Sequence, residues 1–302
     1  MPRFPAGRVG GNGRTGADGM TSMNGPGQPH RTPPIGRDHV VLVADVGNTR
    51  IKLAVVMDRG ATGRLPRVAR RHDLPSSAFR AEPLARWLDA AAAGPAVLLV
   101  AAVHEAAAAR LEAAVAGRAV AGHRPLRQRR IGRSDLPVEV LVAEPDRVGI
   151  DRLAAAAAAA LLKPADRPAI VIDCGTATTV DLVSVEGQFL GGAILPGPTL
   201  LARALAEGTS RLPAVAALDS APPPAMPGRS TQEAIAAGIG WGLRGAVARL
   251  VAEARAACDV EPCVVLTGGS AGLVRDAVPG AVEVPDLVLA GVALAADRAC
   301  AR

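Results

Sequence analysis

Asp45-Val-Gly-Asn-Thr-Arg-Ile-Lys52 ends one β-branched run and opens another, and the design returns at Asp173-Cys-Gly-Thr-Ala-Thr-Thr-Val-Asp181. The flanking runs, residues 40–44 and 51–56 in the first copy and 170–172 and 179–185 in the second, are rich in Val, Ile and Leu as strands are. Each copy reads as strand, Asp-x-Gly turn, strand. Gly47 and Gly175 supply the backbone freedom a tight connection needs. Lacking a Cβ, they also let the turn's amides press against a phosphate. Asn48, Thr49 and Thr176 add side-chain donors. Asp45 and Asp173 stand at strand ends, where a carboxylate can hold a cation that neutralises phosphate charge. A single copy is equally well a solvated hairpin. Two copies predict duplicated halves facing each other across a nucleotide.

A chain of 302 residues accommodates one large or two modest domains. With 49% hydrophobic residues but no tyrosine, three phenylalanines and two tryptophans, its core must be built from Ala, Val and Leu. Lys52 and Lys163 are the only lysines, and the excess of arginine and alanine reads as the coding bias of a GC-rich genome. Half of the +6 net charge lies in residues 1–38, where five arginines face Asp18 and Asp38. Without a series of aromatic platforms for bases, that tail does not predict a nucleic-acid partner. Arg127, Arg129 and Arg130 form a second basic cluster, read as a solvated loop. Cys174, Cys258, Cys263 and Cys300 lack the paired knuckle spacing of a zinc site and are read as free thiols of a cytoplasmic protein. No uninterrupted apolar stretch reaches membrane-spanning length: the alanine-rich run at 153–162 is closed off by Arg152 and Lys163. Residues 1–38 have no apolar segment of the signal-peptide kind.

Residues 1–38, rich in glycine and proline, read as a disordered extension; residues 39–150 and 151–302 read as an N-terminal and a C-terminal half. Expected helices cover residues 84–93, 105–116, 150–162, 200–207, 231–253 and 287–300. Further strands are expected at 97–103, 137–142, 188–194 and 263–266. Strands and helices alternate with hairpins included, which predicts an α/β fold of mixed sheets flanked by helices. The long alanine-rich helix opened by Gly149-Ile-Asp-Arg152 is expected to bridge the halves. Gly11-Asn-Gly-Arg-Thr-Gly16 and Gly240-Trp-Gly-Leu-Arg-Gly245 match the dinucleotide fingerprint formally, but no strand precedes either. The glycines of the second fit close helix packing. A Walker-type GxxxxGK[ST] loop does not occur.

Thr267-Gly-Gly269, after a buried strand, lets backbone approach a base or ribose closely. Two phosphate turns and one nucleoside turn, in this order, resemble the actin-like ATPase superfamily of sugar and acetate kinases. Within it, the two Asp-x-Gly segments, Gly149-Ile-Asp-Arg152, Gly191-Gly-Ala-Ile-Leu-Pro-Gly197, Gly208-Thr-Ser-Arg-Leu-Pro213, Ser230-Thr231 and Thr267-Gly-Gly269 resemble type III pantothenate kinase. The resemblance runs from about residue 40 to the C-terminus. It implies two similar ribonuclease-H-like halves with a nucleotide cleft between them, a homodimer, and ATP-dependent phosphorylation of pantothenate, the entry to coenzyme A.

The resemblance also assigns roles. Asp45, Val46, Gly47, Asn48, Thr49, Arg50, Ile51 and Lys52, together with Thr176, would bind ATP, which arrives with Mg2+. Asp173 would bind a monovalent cation, K+ or NH4+. Asp151 would take the proton of the acceptor hydroxyl, as a catalytic-loop Asp does in other kinases. Val142, Gly149, Ile150, Asp151, Arg152 and Thr231 would line the acceptor site, the Arg152 guanidinium donating to the acceptor's carboxylate. By itself, Asp151 reads as a first-turn residue favoured by the helix dipole; the resemblance reverses that reading. Asp181, in mid-strand, is either functional or a surface carboxylate. His104 and His123 are given no role. Val142 occupies the position, seven residues before Gly149, where the family carries a substrate-pocket tyrosine. This departure bears on acceptor identity and keeps two alternatives in view: a kinase of a related hydroxy acid, and a nucleotide-binding regulator of the same fold without turnover.

Overall fold

A computed structural model describes residues 39–300 apart from 61–62, 119–121, 124–125 and 217–224. The extension read over residues 1–38, with its formal glycine fingerprint, lies outside the described residues. The first five-stranded sheet contains β1 (Val40–Val46), β2 (Arg50–Asp58), β3 (Arg67–Pro75), β4 (Ala96–Ala102) and β5 (Arg127–Arg130), in spatial order β3-β2-β1-β4-β5. β2 runs antiparallel to β1 and β3, while β4 runs parallel to β1 and β5. The second sheet contains β6 (Ala169–Cys174), β7 (Ala177–Val183), β8 (Phe189–Pro196), β9 (Cys263–Thr267) and β10 (Val282–Glu283), in order β10-β9-β6-β7-β8. Read from the other edge, its pairing is the same: two antiparallel steps through β7, two parallel steps through β9. The duplication legible in two turns thus extends to two whole sheets. In each, the Asp-x-Gly turn joins the central strand to its antiparallel neighbour.

Helices fill the spaces by size. α1 (Ala81–Ala91) and α2 (Glu105–Gly117) cover the outer face of the first sheet with Leu84, Leu88, Leu111 and Val115. Between the sheets lies α3 (Ile150–Leu162), whose residues from Leu153 to Ala159 are all buried. Alanine is the best helix former and the smallest apolar one, so a helix buried all round can be thin enough for this layer. α4 (Pro198–Gly208) and α5 (Thr231–Ala256) follow β8, and α6 (Ala271–Val274) follows β9. α5 is long and apolar enough to cross a membrane, but here Leu243, Val247 and Val251 are buried against Ile170, Ile172 and Leu266 of the second sheet.

The last helix expected, 287–300, is broken at Leu294 into α7 (Leu287–Ala293) and α8 (Ala295–Cys300). α7 packs beside α3 in the layer between the sheets. A Cβ at Gly291 would lie 1.9 Å from the Ala154 carbonyl oxygen. Gly291→Ala is therefore expected to destabilise the protein by about 1–3 kcal/mol, read as a lower urea midpoint at unchanged slope.

Three expectations are corrected. Arg127, Arg129 and Arg130 are not a loop but edge strand β5: Arg130 is held by Glu105 and Glu112 of α2, and Arg129 by Asp135 at 2.7 Å. Residues 137–142 are not a strand; they make one bridge, Val140 to Phe189, with Leu141 N–H donating to the Phe189 carbonyl at 2.9 Å. Of the fingerprint glycines expected to serve close helix packing, Gly240 is buried, but Gly242 and Gly245 have no atom within 4 Å of an added Cβ, and Gly242 lines an open groove together with Gly238. β3 escaped the sequence reading altogether. It is an edge strand, with four arginine or histidine side chains between Arg67 and Asp73, a register shift against β2, and Arg70 at φ 52°. Charge and bulges are how edges avoid pairing with other chains.

Candidate active site

The two turns meet. Gly47 N–H donates to the Arg50 carbonyl at 3.0 Å and closes the first turn; Gly175 N–H donates to the Ala177 carbonyl at 3.0 Å and closes the second. Asn48, Thr49 and Arg50 are exposed. The hydroxyls of Thr49 and Thr176, 127 residues apart in sequence, lie 2.8 Å apart. Each turn is braced from outside. Ser76, fully buried, donates its hydroxyl to the Gly47 carbonyl at 2.7 Å and its N–H to the Thr49 carbonyl at 2.9 Å. Gly197 N–H donates to the Thr176 carbonyl at 2.9 Å, and Ser270 N–H to the Cys174 carbonyl at 2.9 Å. Ser76 had no signature in the sequence, because its role exists only once β3 has returned beside the turn.

Behind the turns lies a charged layer. Asp45 pairs in register with Lys52, whose Nζ lies 3.3 Å from Asp45 Oδ2. Burial works to lower the Lys52 pKa, but the Asp45 and Asp173 carboxylates outweigh it and hold it above the ordinary lysine value. Asp173 sits with Lys52, Thr267, Gly268 and Asp286 around a cavity of about 10 Å³. Its Oδ1 is buried without a hydrogen-bond partner, a state native carboxylates rarely keep unless a water or ion completes it. Burial pushes its pKa up to about 6, Lys52 pulling down and the Asp45, Asp151 and Asp181 carboxylates adding to the rise. An orphaned buried carboxylate oxygen is a donor fit for a hard cation.

The third component is the start of α3. Asp151 occupies its first turn, half-buried, with Oδ1 accepting from the Arg152 N–H at 2.8 Å. A Cβ on Gly149 would lie 2.5 Å from that oxygen, which explains the glycine. Burial, then the charge of Asp45, raises the Asp151 pKa. Gly149 and Ile150 open onto a 510 Å³ cavity also lined by Val103, Glu105, Arg133 and Arg147.

Other expected residues are placed differently. Arg152 does not stand free: Nε lies 3.1 Å from both carboxylate oxygens of Asp181, and Nη2 also binds Oδ1. Asp181 is 1% exposed, so its reading as a surface carboxylate is overturned. The Arg152 guanidinium lies 5.3 Å over the Phe189 ring. Val142 lies at β8, where a Cβ on Gly191 would be 3.5 Å from its Cγ1. Thr231, exposed at the start of α5, lines a 640 Å³ apolar groove with Leu201, Leu205, Ile235 and Ile239, a different cavity from the one at Gly149. His104 caps α2, its Nδ1 accepting from the Ala107 N–H at 3.1 Å.

Two like-folded five-stranded sheets with apposed Asp-x-Gly turns make a two-lobed α/β fold. A protein of Sinorhizobium meliloti classed as a 2-dehydro-3-deoxygalactonokinase shares the fold, at TM-score 0.51 and 18% identity over 85% of this chain and 96% of that one. The family profile of type III pantothenate kinase matches residues 41–253. The type III pantothenate kinase of Halorhodospira halophila is 36% identical over 252 residues, 83% of this chain and 95% of that one. Those of Alkalilimnicola ehrlichii and Gluconobacter oxydans are 47% and 41% identical over 49% and 55% of this chain, and these matches span 57% and 60% of the relatives' length. The chain belongs to the type III pantothenate kinase family.

Proposed function

We propose that this protein transfers the γ-phosphoryl group of ATP to the primary hydroxyl of pantothenate, giving 4'-phosphopantothenate and ADP, the first step of coenzyme A biosynthesis. The observation that carries the reading is the 2.8 Å apposition of Thr49 and Thr176 above Asp45, Asp151 and Asp173. Turn 45–52 and Thr176 hold the ATP phosphates through backbone amides and hydroxyls. Asp151 takes the proton of the acceptor hydroxyl as its oxygen bonds to the γ-phosphorus and the bond to ADP breaks.

Four carboxylates, Asp45, Asp151, Asp173 and Asp181, share this layer, with Lys52 against Asp45 and Arg152 against Asp181. An anionic nucleotide enters such a site only with cations. Mg2+ accompanies ATP, and K+ or NH4+ is held by Asp173. The apolar α4–α5 groove, with two glycines open to it, is the face assigned to a homodimer, and the site of action is cytoplasmic.

A second reading rests on Val142. A valine cannot donate a hydrogen bond where the family carries tyrosine, which favours a related hydroxy acid as acceptor. A coupled assay of ADP release decides. Turnover dependent on pantothenate and increased by potassium is expected. Turnover with another hydroxy acid alone moves the assignment to the second reading, and none with pantothenate in either condition overturns the first.

A further inference from the structure

Asp181 lies in the middle of β7, opposite Gly192 of β8, where the strand is buried. A carboxylate is placed there only if its charge is met. Arg152 meets it side-on, through Nε and Nη2, with the Phe189 ring beneath the guanidinium. The slot is narrow: a Cβ on Gly192 would lie 2.4 Å from Asp181 Oδ1 and 2.2 Å from the Val180 carbonyl oxygen. A buried ion pair of this kind contributes little net stability compared with apolar packing. Its consequence is geometric. The Arg152 charge also acts on the neighbouring Asp151 carboxylate, but the hydrogen bond between the two residues comes from the Arg152 N–H and not from the guanidinium. Held by Asp181, it stays off the Asp151 carboxylate and keeps Nη1 as the nitrogen that Asp181 does not take. Val142, at the position of the family tyrosine, packs at Gly191, one residue along β8 from the partner of Asp181.

We infer that Asp181 is a positioning residue: by holding Arg152 side-on over Phe189, it presents one guanidinium nitrogen to the carboxylate of the acceptor and leaves Asp151 to the acceptor's hydroxyl. This rests on the hydroxy-acid kinase reading above and deepens it. Arg152 acts as an oriented single-nitrogen donor, and the acceptor must carry an anionic group at a set distance from the hydroxyl that is phosphorylated.

The test is a cycle of Asp181→Asn, Arg152→Gln and the double variant, with KM for pantothenate, KM for ATP and kcat measured for each. Loss of a charge-assisted hydrogen bond predicts a pantothenate KM raised about 10- to 100-fold in each single variant, at unchanged ATP KM. The double variant should match Arg152→Gln, because a residue acting through another adds nothing once that other is gone. A merely structural role would instead lower kcat through the folded fraction and leave both KM values alone. Should Asp181→Asn fail to fold with its stranded cation, the double variant, which strands none, is compared with Arg152→Gln alone: equal pantothenate KM upholds the inference and a further rise overturns it. An active parent with a folded Asp181→Asn variant of unchanged pantothenate KM, or with multiplying effects in the double, sinks the inference while the kinase reading stands. A parent inactive on pantothenate and on other hydroxy acids sinks both.

Discussion

Asp151→Asn is expected to lower kcat by about 10²- to 10⁴-fold while the protein stays folded, with an unchanged or higher melting temperature. Asparagine keeps the shape and the oxygen that accepts from the Arg152 N–H, but it cannot take a proton. The stability half of the expectation follows from the direction of the Asp151 pKa. Burial and the Asp45 charge raise it in the folded protein. The folded state therefore holds the proton more tightly than the unfolded chain. As pH rises from the ordinary carboxylate value through the raised one, ionisation costs stability, and that cost is fully present above the raised pKa. The amide removes it.

The same direction sets the activity profile. Only the ionised base can accept a proton, so kcat/KM falls as pH drops through the raised pKa, and the acid limb lies above the usual carboxylate range. Asp173, at about 6, adds loss in the same direction when no cation is held there. Steady-state kinetics of parent and variant from about pH 4.5 to 8, at saturating potassium, with melting curves at each pH, measure both effects. An unchanged kcat would reduce Asp151 to a first-turn residue favoured by the helix dipole.

What the amino-acid sequence disclosed follows the range of the interactions. The Asp-x-Gly turns were legible because turn chemistry is local: a β-branched run, a carboxylate, a glycine and a hydroxyl within five residues. Their repetition was enough to predict paired halves, and the 2.8 Å contact between Thr49 and Thr176 is that prediction at atomic scale. The alanine-rich segment read correctly as a bridging helix because nothing else satisfies ten apolar residues closed by charges. Edge strands β3 and β5 were not legible, since their runs of charged side chains imitate a loop, whereas the uncharged edge strand β8 was legible. Nor were Ser76 and Asp181. The first braces a turn that precedes it by 29 residues, and the second is defined by Arg152, also 29 residues away. A carboxylate in mid-strand looks the same in sequence whether water or a guanidinium faces it; only the packing of α3 against β7 decides.

Gly268→Ala and Gly269→Ala, adjacent substitutions in Thr267-Gly-Gly269, are expected to fail differently. Gly268 has φ 98°, and an added Cβ would lie 2.5 Å from Asp173 Oδ1 and from the backbone N and C of Cys174. Neither the left-handed backbone nor the contact can relax without displacing the second turn, because Ser270 N–H is already bonded to the Cys174 carbonyl. Strain and overpacking together predict a loss of about 2–5 kcal/mol, with nucleotide binding lost as the Asp173 turn shifts. A Cβ on Gly269 meets nothing within 4 Å, so Gly269→Ala should change stability by less than about 0.5 kcal/mol. Its open side is where the nucleoside is expected to lie, and the methyl group should raise the ATP KM while the pantothenate KM holds. Denaturant midpoints separate the first effect and kinetics at varied ATP the second. If Gly268→Ala unfolds like the parent, the close packing of the third turn on Asp173 is wrong. If Gly269→Ala leaves the ATP KM alone, this turn does not face the nucleoside, and the paired glycines serve the fold through Gly268 only.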